Sequence, residues 1–193
     1  GINGLGRIGR LLTRRLFERH DARAALRLTM CNEVADAATV AHLLKYDSTH
    51  GRFSQPVVTD GDHLNIVDQA VLLTHETAQS KVRWSDRDVN IVIDCTGVEF
   101  NRSSAAQHLG GSVSRVMLSQ PASTDVDGTI IWGLNDSTLT PDMSVISAGS
   151  CTSNALMPVL SVIDTAFGIR AGIVTTIHSA MNDQPVIDAY HHT

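Results

Sequence analysis

Three glycines near the start of the chain restrict its fold more than any other feature. Gly4, Gly6 and Gly9 form a Gly-x-Gly-x-x-Gly motif between the apolar end of a strand and the start of a helix. In this motif the first glycine permits a tight turn, the second lets the backbone approach a pyrophosphate, and the third lets the helix pack closely on the strand. The helix is predicted because apolar side chains recur at helical spacing, at Ile8, Leu11, Leu12 and Leu16.

An acidic residue follows the second predicted strand, where a dinucleotide-binding fold places one. Glu33 lies 24 residues after Gly9, close to the ~20 that is typical of such folds. A carboxylate there accepts hydrogen bonds from ribose hydroxyls and repels a 2′-phosphate, and residues 33–36 contain no Arg or Lys to attract one. The N–H groups around Arg7 and Ile8 would bind the pyrophosphate at the positive end of the helix dipole. The pattern favours NAD over NADP; the alternative is a glycine turn beside a solvated acid.

The order of the predicted elements indicates an α/β fold with a parallel sheet. An extended run at 26–31 precedes a helix at 36–45 with Asp36 as its N-cap, and strands and helices continue to alternate. Residues 57–73 read as a small antiparallel insertion with a turn at Gly61 and Asp62. The remaining predicted strands are 89–95, 113–118, 129–132, 145–146 and 172–177, and the remaining helices are 103–109 and 152–167, the last ending at Gly168.

Composition excludes several classes of protein. The chain has 193 residues, of which 42% are hydrophobic and 18% charged, and no apolar run approaches the ~20 residues of a membrane span. Its net charge of −5 leaves no basic surplus to neutralise nucleic-acid phosphates. We therefore expect no nucleic-acid partner and no membrane partner. The three cysteines form no CxxC pair, which fits a reducing, cytoplasmic compartment.

Both ends of the sequence predict a piece of a longer protein. There is no initiator Met, and residues 1–3 read as the tail of a strand, so we expect a short segment to precede them. The other end stops without a helix or strand stop signal, so we expect a longer segment to follow. Asp188, His191 and His192 share a spacing that metal ligands use, but we predict no metal site there.

Cys151 and His178 are the residues whose positions indicate covalent chemistry. Cys151 lies in the polar segment 150–154 at the start of a predicted helix, where free N–H groups and the helix dipole stabilise a thiolate. His178 ends the last predicted strand, and a histidine near a cysteine can hold it as a thiolate and then transfer protons. A lone histidine is more often structural. Cys31 and Cys95 are expected to be small buried hydrophobes.

Several segments of the chain resemble the glyceraldehyde-3-phosphate dehydrogenase family. The matching motifs are INGLGRIGR at 2–10, LKYDSTHGRF at 44–53 and SCTSN at 150–154. Within the family, the likeness is greater to the branch that acts on erythrose 4-phosphate. The segments that carry this second likeness are 32–36, 94–98 and 177–191, the last of which begins IHSAMNDQ where classical members usually read His-Ala-Tyr-Thr-Ala-Thr-Gln after the isoleucine.

The resemblance implies a role for each matching residue. Cys151 would be the nucleophile and His178 the base, and the N–H of Cys151 would stabilise the oxyanion together with His178. Ser150 and Thr152 would bind a phosphate or the attacking group. Met181 stands where classical members place a threonine that helps to hold the substrate phosphate, and a thioether cannot donate a hydrogen bond. The residues that would bind NAD are Gly4, Gly6, Arg7, Ile8, Gly9, Glu33, Thr96, Gly97 and Ser119.

The resemblance also implies the architecture and the reaction. We expect a doubly wound parallel sheet, a Rossmann NAD-binding domain, over 1–150, and the truncated start of an α+β catalytic domain over 151–193. The implied protein is a cytoplasmic homotetramer that oxidises the sugar phosphate erythrose 4-phosphate with NAD and feeds pyridoxal phosphate synthesis. The first alternative is a phosphorylating glyceraldehyde-3-phosphate dehydrogenase, in which inorganic phosphate attacks the thioester. The second, for the chain alone, is an NAD-binding module without catalysis.

Overall fold

A large, mostly parallel sheet organises the computed structural model, which describes residues 1–98 and 101–178. Within those residues the helices are α1 (Arg7–Glu18), α2 (His20–Ala25), α3 (Ala37–Lys45), α4 (Arg102–Ala105) and α5 (Cys151–Phe167). The strands are β1 (Ile2–Asn3), β2 (Met30–Asn32), β3 (Tyr46–Asp47), β4 (Gly51–Arg52), β5 (Val57–Asp60), β6 (His63–Ile66), β7 (Gln69–Thr74), β8 (Ile91–Asp94), β9 (Arg115–Leu118), β10 (Gly128–Thr129) and β11 (Val145–Ser147).

The strand order confirms the doubly wound α/β fold. The sheet runs β10-β11-β9-β8-β1-β2-β7-β6-β5, and every neighbouring pair from β10 to β7 is parallel. Without the edge strands β10, β6 and β5, this is the order 3-2-1-4-5-6 of a dinucleotide-binding sheet. The direction of winding reverses between β1 and β8. Ligands of such sheets bind at that switch point, beyond the carboxyl ends of the strands.

Local sequence explains the helices next to the switch point. α1 buries Gly9, Thr13, Arg14 and Phe17 along one face. Arg14 can be buried because its guanidinium donates to backbone carbonyls at the end of α3 and in β4, with Nε 2.8 Å from the oxygen of Leu44. α3 begins where the sequence predicts, because the Asp36 carboxylate accepts the backbone N–H of Thr39 at 2.9 Å and caps the helix.

The segment expected to be a small insertion is part of the main sheet. β5, β6 and β7 are antiparallel to one another, as predicted, and the chain turns at Gly61 and Asp62. β7 also pairs in parallel with β2, with Met30 opposite Leu72. Periodicity predicts the strands but not their partners, so the sequence did not reveal that β7 is the third strand of the nucleotide-binding half.

One predicted strand is shorter than expected, one is absent, and one predicted helix is shorter than expected. The strand expected at 129–132 is reduced to β10, and the side chain of Trp132 is 81% exposed. Residues 172–177 form no strand, and Ile173 and Ile177 are almost fully exposed. A strand needs a neighbour for its backbone hydrogen bonds, and no strand among the described residues pairs with this segment. The helix expected at 103–109 consists of α4 and a 3₁₀ turn at Ala106–His108.

The sheet separates two apolar clusters. One face packs on α1 and α3 through residues such as Phe17, Val40 and Leu44. The other face includes Trp84, Val116 and Val145. Together they hold the parallel strands in place, so that the polar residues after the strand ends meet at one edge of the sheet. In the described part of the chain, no helix is long and apolar enough to cross a membrane.

Candidate active site

Each glycine of the motif meets a different steric requirement. Gly4 has a φ of +86°, and a Cβ added there would lie 3.0 Å from the backbone nitrogen of Thr96. A Cβ added at Gly9 would lie 2.0 Å from the carbonyl oxygen of Gly4, so only glycine lets α1 pack this closely on the loop. A Cβ added at Gly6 would contact nothing within 4 Å. The space beside Gly6 is therefore open to a ligand, as a pyrophosphate-binding loop requires.

The start of α1 presents backbone donors that no side chain among the described residues satisfies. Gly6 is the N-cap and provides no capping side chain, and the first turn contains no acidic residue. The Arg7 and Ile8 side chains are both exposed at this end. The unpaired N–H groups and the helix dipole favour an anion at this position, which fits the role expected of Arg7 and Ile8.

The carboxylate of Glu33 contacts the glycine loop directly. One oxygen accepts the backbone N–H of Leu5 at 2.7 Å, and the other accepts the N–H of Ala35 at 3.3 Å. Each carboxylate oxygen can accept a second hydrogen bond, so capacity for ribose hydroxyls remains. Glu33 is half-buried, and it is therefore a structural part of the loop rather than a solvated acid.

A cleft of about 340 Å³ opens between the glycine loop and the loop after β8. This volume lies within the range of small-ligand sites. Four residues expected to bind NAD line it: Gly4, Gly6, Glu33 and Thr96. The other five, Arg7, Ile8, Gly9, Gly97 and Ser119, are not in its wall.

Four of the five residues outside the wall lie within three residues of a lining residue in the chain, and the fifth, Ser119, is hydrogen-bonded to the end of β8. Arg7, Ile8 and Gly9 form the first turn of α1, which starts directly after the lining residue Gly6. Gly97 stands between the lining residues Thr96 and Val98 with a φ of +72°. Ser119 follows β9, and its N–H donates to the backbone oxygen of Asp94 at 2.9 Å.

Asn3, Asn32 and Glu76 also line the cleft, and the sequence reasoning missed them. Asn3 ends β1, Asn32 ends β2, and Glu76 follows β7 by two residues. A polar residue at the carboxyl end of each parallel strand is the signal that could have identified them, because these ends meet beside the ligand.

Cys151 and His178 are in hydrogen-bond contact. Cys151 is the first residue of α5, after the N-cap Ser150, and its Sγ lies 3.2 Å from Nε2 of His178. This hydrogen bond lowers the pKa of the Cys151 thiol below its usual value, and contacts with Thr152 lower it further. Both side chains are exposed. The pair can therefore supply an accessible thiolate with a proton acceptor beside it.

The thiols of the other two cysteines have raised pKa values. Burial raises the pKa of Cys31 to about 12 and that of Cys95 to about 11. Both remain protonated thiols near neutral pH. Cys31 is buried, as expected, whereas Cys95 is half-buried and lines the cleft. Of the three thiols, that of Cys151 has a lowered pKa.

Ser150 and Thr152 flank the cysteine, as the sequence requires. The Ser150 hydroxyl accepts the backbone N–H of Ser153 at 2.9 Å and contacts the Ser153 hydroxyl at 2.7 Å. This hydroxyl caps the N-terminus of α5. Thr152 is half-buried in the first turn. Within residues 1–98 and 101–178 there is no group of three or more His, Cys, Asp or Glu suited to a metal ion; Asp188, His191 and His192 lie outside these residues.

Two family models match the chain, one over the glycine loop and cleft and the other over the segment that contains Cys151 and His178. Residues 1–102 match the model described as glyceraldehyde 3-phosphate dehydrogenase, NAD binding domain, and residues 150–193 match the model described as glyceraldehyde 3-phosphate dehydrogenase, C-terminal domain. The chain belongs to the glyceraldehyde 3-phosphate dehydrogenase family. The match confirms NAD as the cofactor. Membership in this dehydrogenase family supports NAD-dependent dehydrogenase activity in general and a substrate of the sugar-phosphate type.

Proposed function

We propose that the protein oxidises D-erythrose 4-phosphate to 4-phosphoerythronate with NAD, using Cys151 as nucleophile and His178 as general base, and that the product feeds pyridoxal phosphate synthesis. The observation that carries the catalytic part is the 3.2 Å contact between Cys151 Sγ and His178 Nε2 at the start of α5. In this proposal residues 1–150 bind NAD and the catalytic domain starts at 151.

The first step is attack of the Cys151 thiolate on the aldehyde carbon. A C–S bond forms and the carbonyl π bond breaks, which leaves negative charge on oxygen. The backbone N–H of Cys151 and the His178 imidazole would stabilise that charge. Because Cys151 begins α5, the positive end of the helix dipole stabilises both the thiolate and the oxyanion.

The second step converts the thiohemiacetal into a thioester. The oxyanion first takes a proton from the His178 imidazolium, which gives the thiohemiacetal hydroxyl. His178 Nε2 then takes this proton back while the carbon loses a hydride, for which NAD, when bound, supplies the acceptor. His178 releases this proton to solvent and then accepts a proton from a water molecule, whose oxygen attacks the thioester carbon. The C–S bond breaks, and the products are the carboxylate and the regenerated Cys151 thiolate. One imidazole thus serves both proton transfers.

The substrate assignment rests on sequence rather than geometry. The likeness to the erythrose-4-phosphate branch is carried by residues 32–36, 94–98 and 177–191, and the last of these segments lies outside the described residues from 179 onward. Met181 replaces a threonine hydroxyl with a thioether, which cannot donate to a phosphate. A site without that donor positions an attacking phosphate poorly, and this favours water as the final nucleophile.

The hydroxyls of Ser150 and Thr152 support one alternative. They flank Cys151, and a phosphate held there would make the protein a phosphorylating glyceraldehyde-3-phosphate dehydrogenase that releases an acyl phosphate. For the chain of 193 residues alone, NAD binding without turnover is the other alternative. Titration with NAD beside a turnover assay distinguishes it from a catalytic protein.

The deciding experiment compares two aldehydes, erythrose 4-phosphate and glyceraldehyde 3-phosphate, with and without inorganic phosphate. We expect the full-length protein to reduce NAD with erythrose 4-phosphate in phosphate-free buffer and to release the free acid. Added phosphate should give little stimulation. Turnover that requires phosphate, with accumulation of an acyl phosphate, would replace the proposal by the first alternative. Light scattering would test the proposed homotetramer, and microscopy of a tagged protein its cytoplasmic location.

A further inference from the structure

A buried polar cluster lies beneath the NAD cleft, and the proposed mechanism does not use it. It joins Trp84, His108 and Asp94, whose side chains are almost completely buried. Trp84 Nε1 lies 3.0 Å from His108 Nδ1, and His108 Nε2 lies 3.2 Å from Asp94 Oδ2. Buried polar groups are costly unless they are hydrogen-bonded, and each polar side chain of this cluster has a partner. A buried network that is fully hydrogen-bonded holds its members in one arrangement.

Trp84 determines which way every hydrogen bond of the cluster points. The indole N–H only donates, so His108 Nδ1 accepts and carries no proton. The proton of the neutral ring is therefore on Nε2, which donates to Asp94. In this tautomer His108 is a fixed hydrogen-bond donor aimed at the carboxylate.

Asp94 is surrounded by donors. Oδ2 accepts from His108 and from the Asn3 amide at 2.8 Å, and Oδ1 accepts from the backbone N–H of Thr96 at 3.0 Å and its hydroxyl at 2.7 Å. Burial acts to raise the pKa of Asp94, but the hydrogen bonds from His108, Thr96 and Asn3 outweigh it and hold the pKa below its usual value. Asp94 is thus a buried carboxylate with about four acceptor positions filled.

The partners of Asp94 form part of the cleft wall. Asn3 and Thr96 both line the cleft, and the backbone of Thr96 packs against Gly4. The Asn3 amide oxygen accepts from Asn32 at 2.9 Å, and the Asn32 amide oxygen accepts the backbone N–H of Glu76 at 2.9 Å. One directed chain of hydrogen bonds therefore runs beneath the cleft, from the Thr96 loop to the segment after β7.

We propose that His108 and Asp94 are positioning residues for the cofactor. Their hydrogen bonds hold the Thr96 loop and the Asn3 amide in the arrangement that binds NAD, although neither residue lines the cleft. The inference rests on the proposed NAD site between the glycine loop and Thr96. It assigns a function to a buried histidine that no sequence motif identifies.

The test compares two substitutions of His108 by isothermal titration with NAD. His108→Asn is too short to reach Asp94 with its amide and removes the donor, whereas the amide of His108→Gln reaches the position of Nε2. Loss of a hydrogen bond to a buried charge weakens an interaction about tenfold or more. We expect NAD affinity to fall about tenfold in His108→Asn and to stay within about threefold of the original protein in His108→Gln.

A control variant distinguishes the loss of this hydrogen bond from a general loss of stability. Val116→Ala creates a cavity in the same apolar cluster without touching the hydrogen-bond chain, and we expect it to lower the unfolding temperature with unchanged NAD affinity. If Val116→Ala weakens NAD binding as much as His108→Asn does, or if His108→Gln binds no better than His108→Asn, the positioning role is wrong.

If His108→Asn does not fold, Trp84→Phe tests the same chain of hydrogen bonds, because it removes the donor that holds His108 in a single tautomer. A loss of about threefold supports the proposal, and unchanged affinity overturns it.

Gly6→Ala in the same titration distinguishes a failure of the positioning role from a failure of the proposed NAD site. If Gly6→Ala loses NAD affinity and His108→Asn does not, the cleft is the NAD site and the positioning role is wrong. If Gly6→Ala and Glu33→Ala both bind NAD as the original protein does, the proposed site is wrong, and the inference fails with it.

Discussion

The carboxylate of Glu33 accepts the backbone N–H of Leu5 at 2.7 Å, which ties the acid after β2 to the glycine loop after β1. Leu5 stands between Gly4 and Gly6, so this contact shapes the loop that approaches the cofactor. Glu33 therefore has a structural role that the sequence did not reveal, beside the ribose-binding role that the sequence predicts. It holds the loop in place, and its remaining lone pairs are available to ribose hydroxyls.

Substitution of Glu33 should affect cofactor choice as well as affinity. Glu33→Ala removes charge-assisted hydrogen bonds to ribose and the contact with Leu5, a loss of roughly 1.5–3 kcal/mol, or about tenfold or more in the dissociation constant of NAD. The preference for NAD over NADP should also shrink, because the charge that repels a 2′-phosphate is gone. Titration calorimetry with both dinucleotides measures this. As a control, Glu18→Ala removes an acid from the far end of α1 and should leave both dissociation constants unchanged. If Glu33→Ala also has the dissociation constants of the original protein for both dinucleotides, Glu33 does not bind ribose, and its contact with the loop is its remaining role.

Two glycine substitutions should separate folding from cofactor binding. Gly9→Ala places a Cβ 2.0 Å from the Gly4 oxygen, so we expect a loss of about 3 kcal/mol or more in the free energy of unfolding. Gly6→Ala has open space and a φ of −63°, so its stability should change by less than about 1 kcal/mol. Its methyl group would occupy the space expected for pyrophosphate, and NAD binding should weaken. Urea unfolding and NAD titration measure the two effects.

The opposite pattern would contradict this assignment. A stable Gly9→Ala protein would mean that α1 can move away from the loop at little cost. A Gly6→Ala protein that binds NAD normally would mean that the phosphates do not approach the backbone at this position.

Local signals made the nucleotide-binding half predictable. The glycine loop, the Asp36 cap and the period of α1 depend on neighbouring residues, so the sequence shows them directly. The position of β7 beside β2 depends on pairing between distant segments, and periodicity carries no information about partners. The strand expected at 172–177 had the right composition, but composition alone does not provide a neighbouring strand.

The site was predictable to a similar extent. Cys151 and His178 have recognisable positions, and the structure brings them into contact. Asn3, Asn32 and His108 lack a motif, because their roles depend on the hydrogen bonds that the sheet creates between strands far apart in sequence. Thr96 was expected to line the cleft, but its two hydrogen bonds to the buried Asp94 are visible only in the structure.

Cys151 should react faster with alkylating agents than the other cysteines do. Its pKa is lowered by the hydrogen bond with His178, whereas burial raises the pKa of Cys31 to about 12 and that of Cys95 to about 11. A lowered pKa means more thiolate at neutral pH, so the alkylation rate of Cys151 should rise with pH through a midpoint below that of a free cysteine. Iodoacetamide labelling followed by peptide mass spectrometry measures both properties.

Cys151→Ser is the matched variant for this assignment. A hydroxyl forms its alkoxide far less readily near neutral pH than a thiol forms its thiolate, so acyl-enzyme formation should be abolished while NAD affinity is retained. Labelling that is faster at Cys31 or Cys95 than at Cys151 would exclude Cys151 as the nucleophile.

His178→Asn should slow both halves of the proposed reaction in the full-length protein. The asparagine amide cannot accept and return a proton as the imidazole does, and general acid–base losses are typically ~10²–10⁴-fold. The variant also removes the first cause of the lowered Cys151 pKa, so the midpoint of alkylation should move to higher pH, and less thiolate should be present at neutral pH. Rapid mixing with aldehyde and NAD measures hydride transfer through NADH absorbance, and quenched samples measure the decay of the thioester.

Two results would contradict parts of this assignment. If His178→Asn slows hydride transfer alone, another group activates the water. A variant with unchanged alkylation would show that the 3.2 Å contact does not control the thiolate, because a hydrogen bond that stabilises one protonation state must shift the titration when it is removed.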